Sequence, residues 1–194
     1  IEARLERRQE HLADRLDRPV PVVWDERNDR HDTGLRTLQA FDSSADWHVV
    51  IQDDVLPAPD LLAGIEQALA HVPADGPVSF YVGRVRPFRQ AVERAVRQAG
   101  DDLSWIVMDG LYWGPCHAVP TSAIPEVADW WATARATNYD RRLSHWFEAH
   151  HRPCWYSWPS LVEHRGDESL VRGRTGERRA HRFAEGSALD VDWT

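Results

Sequence analysis

The stretch Trp47–Asp60, WHVVIQDDVLPAPD, carries a clear strand signal. Its first half is apolar and β-branched, as in a buried strand, and its second half contains two prolines that end such a strand. Between the halves stand two adjacent carboxylates, Asp53 and Asp54, with no basic residue beside them. Such a pair either caps the turn before the prolines or binds a cation, and the stretch alone favours neither.

On both sides of this stretch, strand-like and helix-like segments alternate. Short apolar runs predict strands at 20–24, 48–52, 78–83, 104–109 and 154–158. Apolar residues at helical spacing predict helices at 61–72, 88–99, 124–135 and 140–150, and a charged N-terminal helix at 1–18. Alternation of this kind is typical of an α/β domain with a mostly parallel central sheet flanked by helices. We therefore expect one Rossmann-like domain over 1–194, with a mobile C-terminal loop and helix at 165–194.

Composition narrows the class of protein. The chain has 194 residues and a net charge of −8, and all 23 basic residues are arginine. This acidic balance argues against indiscriminate nucleic-acid binding, although an arginine-lined groove would still be compatible with it. Its two cysteines, Cys116 and Cys154, form no CxxC, and no apolar run is long enough for a membrane span. These features predict a soluble, cytoplasmic protein.

Acidic residues follow two of the predicted strands. Asp25 ends the run at 20–24, and the pair Asp53 and Asp54 ends the run at 48–52. In open α/β sheets, ligands bind beyond the carboxyl ends of the strands, so these acids would share one crevice. A divalent cation such as Mg²⁺ or Mn²⁺ would relieve the repulsion between adjacent carboxylates.

Four motifs, in their order along the chain, resemble those of metal-dependent glycosyltransferases with the GT-A fold. These motifs are VVIQDDV (49–55) for the DxD-type metal motif, LYWGPCHAVPTSAI (111–124), YDRRLSHWF (139–147), and PSLVEHR (159–165) with the later SLV (169–171). The resemblance covers Pro19 to about Phe183. It implies a GT-A fold and transfer of a sugar from a nucleotide-diphosphate donor, with uridine as the usual nucleoside.

The resemblance also implies a metal site. Asp54 would bind the cation directly, Asp53 would support the metal or the ribose, and His164 would be the second protein ligand. A bound Mn²⁺ or Mg²⁺ would neutralise the charge that builds on the leaving nucleoside diphosphate. For His164 alone, a structural or solvated role is the alternative.

The remaining donor contacts follow from the same resemblance. Asp25 would read the nucleobase with help from Arg36, and Trp113 and Gly114 would form the floor under the sugar, since glycine allows close approach. Core packing is the alternative for Trp113. The arginines that are candidates to hold the phosphates are Arg165, Arg172 and Arg174; a solvated charged loop is the alternative for each.

Asp140 is the candidate general base. An inverting transferase needs a carboxylate that removes the proton of the acceptor hydroxyl while its oxygen attacks the anomeric carbon. The position of Asp140 at the start of a predicted helix also fits a plain N-cap. The family often has a second acid before this residue, where the chain has Tyr139.

The acceptor has several candidates. A narrower resemblance, to small glycosyltransferase-like proteins of actinobacteria and their phages, implies a hydroxymethylated pyrimidine in DNA. The arginines that would line a DNA groove are Arg84, Arg86, Arg89, Arg141 and Arg142. Hydroxyls of a small molecule, a glycan or a protein are the alternatives.

Two other classes of function compete with the transferase. His150, His151 and Cys154 lie close together in sequence and suggest a zinc hydrolase, although the chain has no HExxH motif. A transferase-like domain that binds a nucleotide or a partner without catalysis is the second alternative. Joint retention of the four predicted metal and base residues counts against it; these are Asp53, Asp54, Asp140 and His164.

Overall fold

The structure is a computed structural model and describes residues 12–84, 89–99, 102–135, 138–165 and 178–194. Within these ranges the chain forms a five-stranded sheet, a two-stranded sheet and five α-helices. The predicted mixed α/β class is therefore confirmed. In the described part of the chain, no helix is both long and apolar enough to cross a membrane.

The strands are β1 (Trp47–Ile51), β2 (Val55–Pro57), β3 (Val78–Ser79), β4 (Trp105–Met108), β5 (Cys116–Pro120), β6 (Cys154–Ser157) and β7 (Val162–His164). The helices are α1 (Arg30–Gln39), α2 (Leu61–Leu69), α3 (Arg89–Ala99), α4 (Ile124–Trp131) and α5 (Tyr139–Ala149). The predicted helices near 61, 88, 124 and 140 are confirmed with small shifts. Most of the predicted N-terminal helix lies outside the described residues.

The central sheet has the strand order β1-β5-β3-β6-β4. Among its described pairs, only β3 with β6 is parallel, so the predicted mostly parallel sheet is wrong. Strand β5, which is not among the strands predicted above, pairs antiparallel with both β1 and β3. The two predicted helices α4 and α5 separate β5 from β6 and return the chain to the edge at which β5 ended. β6 therefore runs opposite to β5.

The predicted strand at 20–24 is also wrong. Val20, Val22 and Trp24 are 37%, 45% and 43% exposed, and none of the described strands pairs with this segment. Prolines precede Val20 and Val22, and a proline has no N–H to donate to a ladder. The apolar residues of this segment are therefore typical of a strand in the sequence, whereas its prolines oppose strand pairing.

Helix α1 was not predicted, because most of its residues are polar. It begins after Asp29, whose side chain accepts hydrogen bonds from the backbone N–H groups of His31 and Asp32. This is an ordinary N-cap, and Leu35 and Leu38 follow it on one face of the helix. The cap and this spacing were the available signals.

The central sheet lies between two apolar clusters. Successive residues of β5 alternate between them, Ala118 to the first cluster and Val119 to the second. Residues of α2 and of the segment 178–194 belong to the first cluster, and residues of α1, α4 and α5 belong to the second. The end of the chain is part of this core, since Trp193 is 3% exposed.

A glycine allows α2 to approach the C-terminal segment. A Cβ placed on Gly64 would lie 2.3 Å from Cβ of Ala188 and 2.9 Å from its carbonyl carbon. The backbone N–H of Ala188 donates to the carbonyl of Pro59 at 2.8 Å, just before the helix begins. The contact between Gly64 and Ala188 is therefore set by the backbone of both segments. Neither residue has a flexible side chain that could move away.

We expect Gly64→Ala to destabilise the protein by about 1–3 kcal/mol through overpacking, although alanine is the better helix former. Urea denaturation followed by tryptophan fluorescence measures the change. The exposed Gln67 on the same helix offers a control, Gln67→Ala, which should stay within about 0.5 kcal/mol of wild type. A Gly64→Ala variant as stable as wild type would contradict the close contact with Ala188.

Candidate functional site

The carboxyl end of β1 and the amino end of β5 lie at the same edge of the central sheet. Ile51 pairs with Cys116, and the backbone N–H of Gln52 donates to the carbonyl of Pro115 at 2.8 Å. The pair Asp53 and Asp54 leaves this edge directly after Gln52. Trp113 and Gly114 arrive there just before β5, so two motifs that were predicted separately meet at one edge.

The two-stranded sheet brings the next motif to the same place. β2 and β7 are antiparallel and pair Val55 with His164. The N–H of Arg165 donates to the carbonyl of Asp54 at 3.0 Å and extends this pairing by one step. As a result, Nε2 of His164 lies 3.3 Å from Oδ2 of Asp54. The two predicted metal ligands are therefore neighbours in space.

Both ring nitrogens of His164 lie near an acceptor. Nδ1 is 3.2 Å from the carbonyl oxygen of Arg165, and Nε2 is 3.3 Å from Oδ2 of Asp54, so a neutral ring can donate to only one of them. His164 is 3% exposed, and burial lowers its pKa despite the opposing effect of the Asp54 charge. In the tautomer that donates from Nδ1, the lone pair of Nε2 faces Oδ2 of Asp54, which is the form that a cation ligand would need.

The second carboxylate oxygen of Asp54, Oδ1, is buried and accepts no hydrogen bond from the described residues. Buried carboxylate oxygens normally accept hydrogen bonds, because leaving one unsatisfied costs about 1–3 kcal/mol or more. Oδ2 lies 3.6 Å from Nη2 of Arg178. Asp54 thus has a partial counter-charge and one oxygen available to a ligand.

Sequence reasoning missed Arg178. It had considered Arg165, Arg172 and Arg174 in the arginine-rich segment, and the last two lie outside the described residues. Arg178 belongs to the same segment, and composition alone does not distinguish one of these arginines from another. The segment that contains Arg178 reaches the site through hydrogen bonds between residues far apart in the chain. Such contacts leave no recognisable pattern in the sequence.

A buried carboxylate holds the segment after residue 178 against the site. Oε1 of Glu163 accepts hydrogen bonds at 2.7 Å from the backbone N–H of His164 and, at the same distance, from that of Ala180. The ring of Tyr81 packs edge-on against His164, with the centroids 6.4 Å apart. The position of His164 is therefore set by β7, by the C-terminal segment and by an aromatic side chain.

Trp113 both packs and borders the site. Its ring is half-buried and stands edge-on to Tyr156 at 5.7 Å between centroids, and its carbonyl accepts from Oγ of Ser79 at 3.0 Å. The core-packing alternative is thus part of its role. The next residue, Gly114, is buried, and a Cβ placed on it would lie 3.0 Å from Cβ of Asp140. The predicted sugar floor and the predicted base are therefore in contact.

Asp140 is not the N-cap of α5. That helix begins at Tyr139, and Asn138 occupies the cap position with an extended backbone. Oδ1 of Asp140 accepts from the N–H of Arg141 at 2.9 Å. A carboxylate in the first turn is stabilised by the positive end of the helix dipole. Asp140 also lies next to Gly114, a contact that is separate from the helix start.

Asp25 and Arg36 form a unit with the start of α1. Asp25 is exposed, and its Oδ1 accepts from the N–H of Asp29 at 3.0 Å. Arg36 donates to the carbonyl of Trp24 at 2.6 Å and to Oδ2 of Asp32 at 2.9 Å. The two predicted nucleobase residues therefore lie in one loop–helix unit, with Asp25 on the surface and not at the end of a buried strand.

The zinc-hydrolase alternative is not supported by the described residues. Nδ1 of His150 faces the carbonyl oxygen of Trp146 at 2.7 Å, and the two rings are stacked. Cys154 is fully buried in β6, and burial raises the pKa of its thiol. In the ranges that the structure describes, no three His, Cys, Asp or Glu side chains gather as a metal-binding group.

Most arginines proposed for a DNA groove are engaged within the protein. Arg141 pairs with Glu148 at 2.8 Å and covers the ring of Tyr112. Arg89 pairs with Glu93 at 2.7 Å. The remaining described ones, Arg84 and Arg142, donate to the backbone carbonyls of His181 and Trp131, whereas Arg86 lies outside the described residues.

His117, one strand residue beyond the site edge, is a buried neutral histidine. It is 1% exposed, its Nδ1 lies 3.2 Å from the carbonyl oxygen of Gly114, and burial lowers its pKa to about 4. Because its pKa in the unfolded chain is about 6.5, the unfolded state binds a proton at intermediate pH that the folded state refuses. The contribution of His117 to stability is therefore complete above about pH 6.5 and is lost as the pH falls toward 4.

We expect wild type to lose about 2 kcal/mol more stability between pH 7 and pH 5 than His117→Gln, whose amide does not titrate and can still donate to Gly114. Urea denaturation at the two pH values gives both differences. The exposed histidine variant His71→Gln serves as a control and should keep the pH dependence of wild type. Equal pH dependence in wild type and His117→Gln would contradict a neutral, buried His117.

Comparison with known proteins adds no relative to these observations. No protein-family model matches the chain, and no curated protein matches it significantly. The function is therefore inferred from the residues of the site and their distances.

Proposed function

We propose that the protein is a metal-dependent glycosyltransferase that transfers a sugar from a nucleotide-diphosphate donor, a UDP-sugar, to an acceptor hydroxyl. The observation that carries this proposal is the contact between Nε2 of His164 and Oδ2 of Asp54 at 3.3 Å. In the tautomer with the proton on Nδ1, for which the carbonyl of Arg165 is the acceptor, Nε2 and Oδ2 both present lone pairs to one point. A cation between them would be bound by both groups.

The residues present fit a divalent cation. A carboxylate oxygen and a neutral imidazole nitrogen are ligands that Mn²⁺ accepts, and Mg²⁺ uses the carboxylate with other oxygens. Metal-binding histidines usually donate their other N–H to a carbonyl or carboxylate, and the carbonyl of Arg165, 3.2 Å from Nδ1 of His164, is such an acceptor. Oδ1 of Asp54, buried without a hydrogen-bond partner among the described residues, adds a second available oxygen.

The site would leave room for a nucleotide donor in the coordination of the cation. Asp54 and His164 supply two protein ligands, and phosphate oxygens and water would complete the coordination. The cation, when bound, would neutralise charge on the leaving diphosphate. Asp53 would support it from the adjacent position.

The basic residues around the pair supply phosphate contacts. Arg178 lies 3.6 Å from Asp54, and Arg165 begins the segment that follows β7. A guanidinium group binds two phosphate oxygens at once through charge-assisted hydrogen bonds. We therefore add Arg178 to the predicted Arg165 as a phosphate-binding candidate, and Arg172 stays a prediction outside the described residues.

Asp140 is the proposed base. Its contact with Gly114 supports this role, because Trp113 and Gly114 form the proposed sugar floor. During transfer, the acceptor oxygen would bond to the anomeric carbon as the bond from that carbon to the phosphate oxygen breaks. The proton of the acceptor hydroxyl would pass to Asp140, and attack opposite the leaving group inverts the anomeric centre.

The acceptor that the surface favours is an uncharged hydroxyl compound, a glycan or a small molecule. A DNA acceptor would require the described arginines to give up contacts such as Arg141 with Glu148 and Arg89 with Glu93. A net charge of −8 also opposes binding of a polyanion. A hydroxymethylated pyrimidine in DNA stays a prediction of the narrower resemblance.

We expect wild type to bind UDP only in the presence of Mn²⁺ or Mg²⁺, as measured by calorimetry. Asp54→Asn and His164→Ala should each weaken metal-dependent UDP binding by at least about 100-fold, because each removes a proposed ligand. Matched controls are Asp46→Asn and His71→Ala, which change exposed residues and should bind like wild type. Metal-independent UDP binding, or its absence in wild type, would argue against the proposal.

We expect Asp140→Asn to keep metal-dependent UDP binding while its kcat for transfer falls about 10²- to 10⁴-fold, the usual effect of losing a general base. UDP release from a panel of UDP-sugars with Mn²⁺ measures this, with simple glycosides and 5-hydroxymethylcytosine DNA as acceptors. Asp129→Asn changes an exposed acid on α4 and serves as the control. Near-normal transfer by Asp140→Asn would refute the base assignment. Metal-dependent UDP binding without transfer to any acceptor would indicate the non-catalytic nucleotide-binding alternative.

A further inference from the structure

One hydroxyl group joins three segments of the proposed site. Oη of Tyr139 accepts a hydrogen bond from Nε2 of Gln52 at 2.9 Å and donates one to the carbonyl of Gly114 at 2.8 Å. Gln52 directly precedes the acid pair, and Tyr139 directly precedes Asp140. The segments that carry the proposed metal, sugar and base residues are thus tied together by a single side chain.

The ring of Tyr139 has little freedom to move. A Cβ placed on Gly34 of α1 would lie 2.9 Å from Cβ of Tyr139, and one placed on Gly114 would lie 2.9 Å from its Oη. On a further side, the ring of His117 lies 6.0 Å away between centroids. Glycine backbone therefore approaches the tyrosine from two elements, so a change at Tyr139 passes directly to α1 and to the loop before β5.

The hydroxyl group of Tyr139 stays protonated and therefore acts as a hydrogen-bond donor. Burial raises the pKa of Tyr139, and the nearby Asp140 charge raises it further, so the phenol stays protonated. The carbonyl of Gly114 accepts the hydrogen bond from this phenol and also lies 3.2 Å from Nδ1 of His117. Both sides of the Tyr139 hydroxyl, donor and acceptor, are therefore used, and its orientation is determined by partners of fixed polarity.

We infer that Tyr139 is a positioning residue that holds the proposed base, Asp140, in register with the acid pair and with Gly114. The inference rests on the proposed transferase function and assigns a role to a residue that does not contact the reacting atoms. Asp140 and Gly114 are already in contact, so a shift of the start of α5 changes the approach of the base to a sugar above Gly114. Displacements near 1 Å in such arrangements lower rates by about 100-fold.

The variant Tyr139→Phe tests the inference because it removes only Oη. We expect kcat for sugar transfer to fall about 10- to 100-fold, whereas KM for the donor and the affinity for UDP with Mn²⁺ change less than about twofold. Tyr112→Phe is the matched control, since its hydroxyl donates to Asp109, which is not one of the proposed site residues. UDP-release kinetics and calorimetry provide the two readouts.

A second variant keeps the test decisive if Tyr139→Phe folds poorly. Gln52→Leu removes the hydrogen-bond donor to Tyr139 and should also lower kcat without changing UDP affinity. In the double variant, Gln52→Leu with Tyr139→Phe, the loss should not exceed that of Tyr139→Phe alone, because both changes act through one hydroxyl. Multiplying losses would show that the two residues act independently and would overturn the inference.

The outcomes separate this inference from the proposed function. If wild type transfers sugar and Tyr139→Phe does so with unchanged kcat, the positioning role is refuted and the transferase proposal stands. A raised KM with normal kcat would assign Tyr139 to donor binding and would also refute it. Wild type without metal-dependent UDP binding and without transfer would overturn both.

Discussion

The pairing of β2 with β7 is the constraint on which the site depends. Each strand has only three residues, and such a short ladder is weak by itself. Additional hydrogen bonds extend it at both ends, from Ala58 to Leu161 and from Arg165 to Asp54. Val55 and Val162 are fully buried, so apolar packing supplies the stability that the ladder lacks. This small sheet is what brings Asp54 to His164.

The electrostatics of the site follow from that pairing. It places a carboxylate, a neutral imidazole and a guanidinium within a few ångströms in a mostly buried setting, at 3.3 Å and 3.6 Å from Asp54. Burying a carboxylate without full compensation costs free energy, and natural proteins keep such costs mainly at functional sites. Arg178 offsets part of the charge of Asp54.

The sequence predicted local features well and long-range features poorly. The strand before Asp53 could be recognised because β-branched residues and prolines act locally, and α2 could be recognised from its apolar spacing. The direction of each strand could not be recognised from local sequence. It depends on the path of the chain between strands, such as the path through α4 and α5 from β5 to β6. The segment at 20–24 shows the reverse error, since apolar character was present but its prolines prevented pairing.

The same distinction applies to the site. Asp54 and His164 could be proposed as partners because each lies in a motif whose order along the chain is informative. Arg178 and the bond between Gln52 and Tyr139 could not, since a contact between distant side chains leaves no periodic pattern in the sequence. Tyr139 looked like the loss of an acid, and the structure shows it as a hydrogen-bonding link.

The hydrogen bonds of Glu163 imply that the surroundings of the acid pair form late during synthesis. Its carboxylate joins His164 to Ala180, and the same C-terminal segment buries Trp193 in the first cluster. The chain emerges from the ribosome with its N-terminus first. β1 and the acids that follow it therefore emerge well before the residues that enclose them. During synthesis Asp53 and Asp54 are therefore ordinary hydrated carboxylates. Their enclosed surroundings form only when residues 178–194 fold back onto β7.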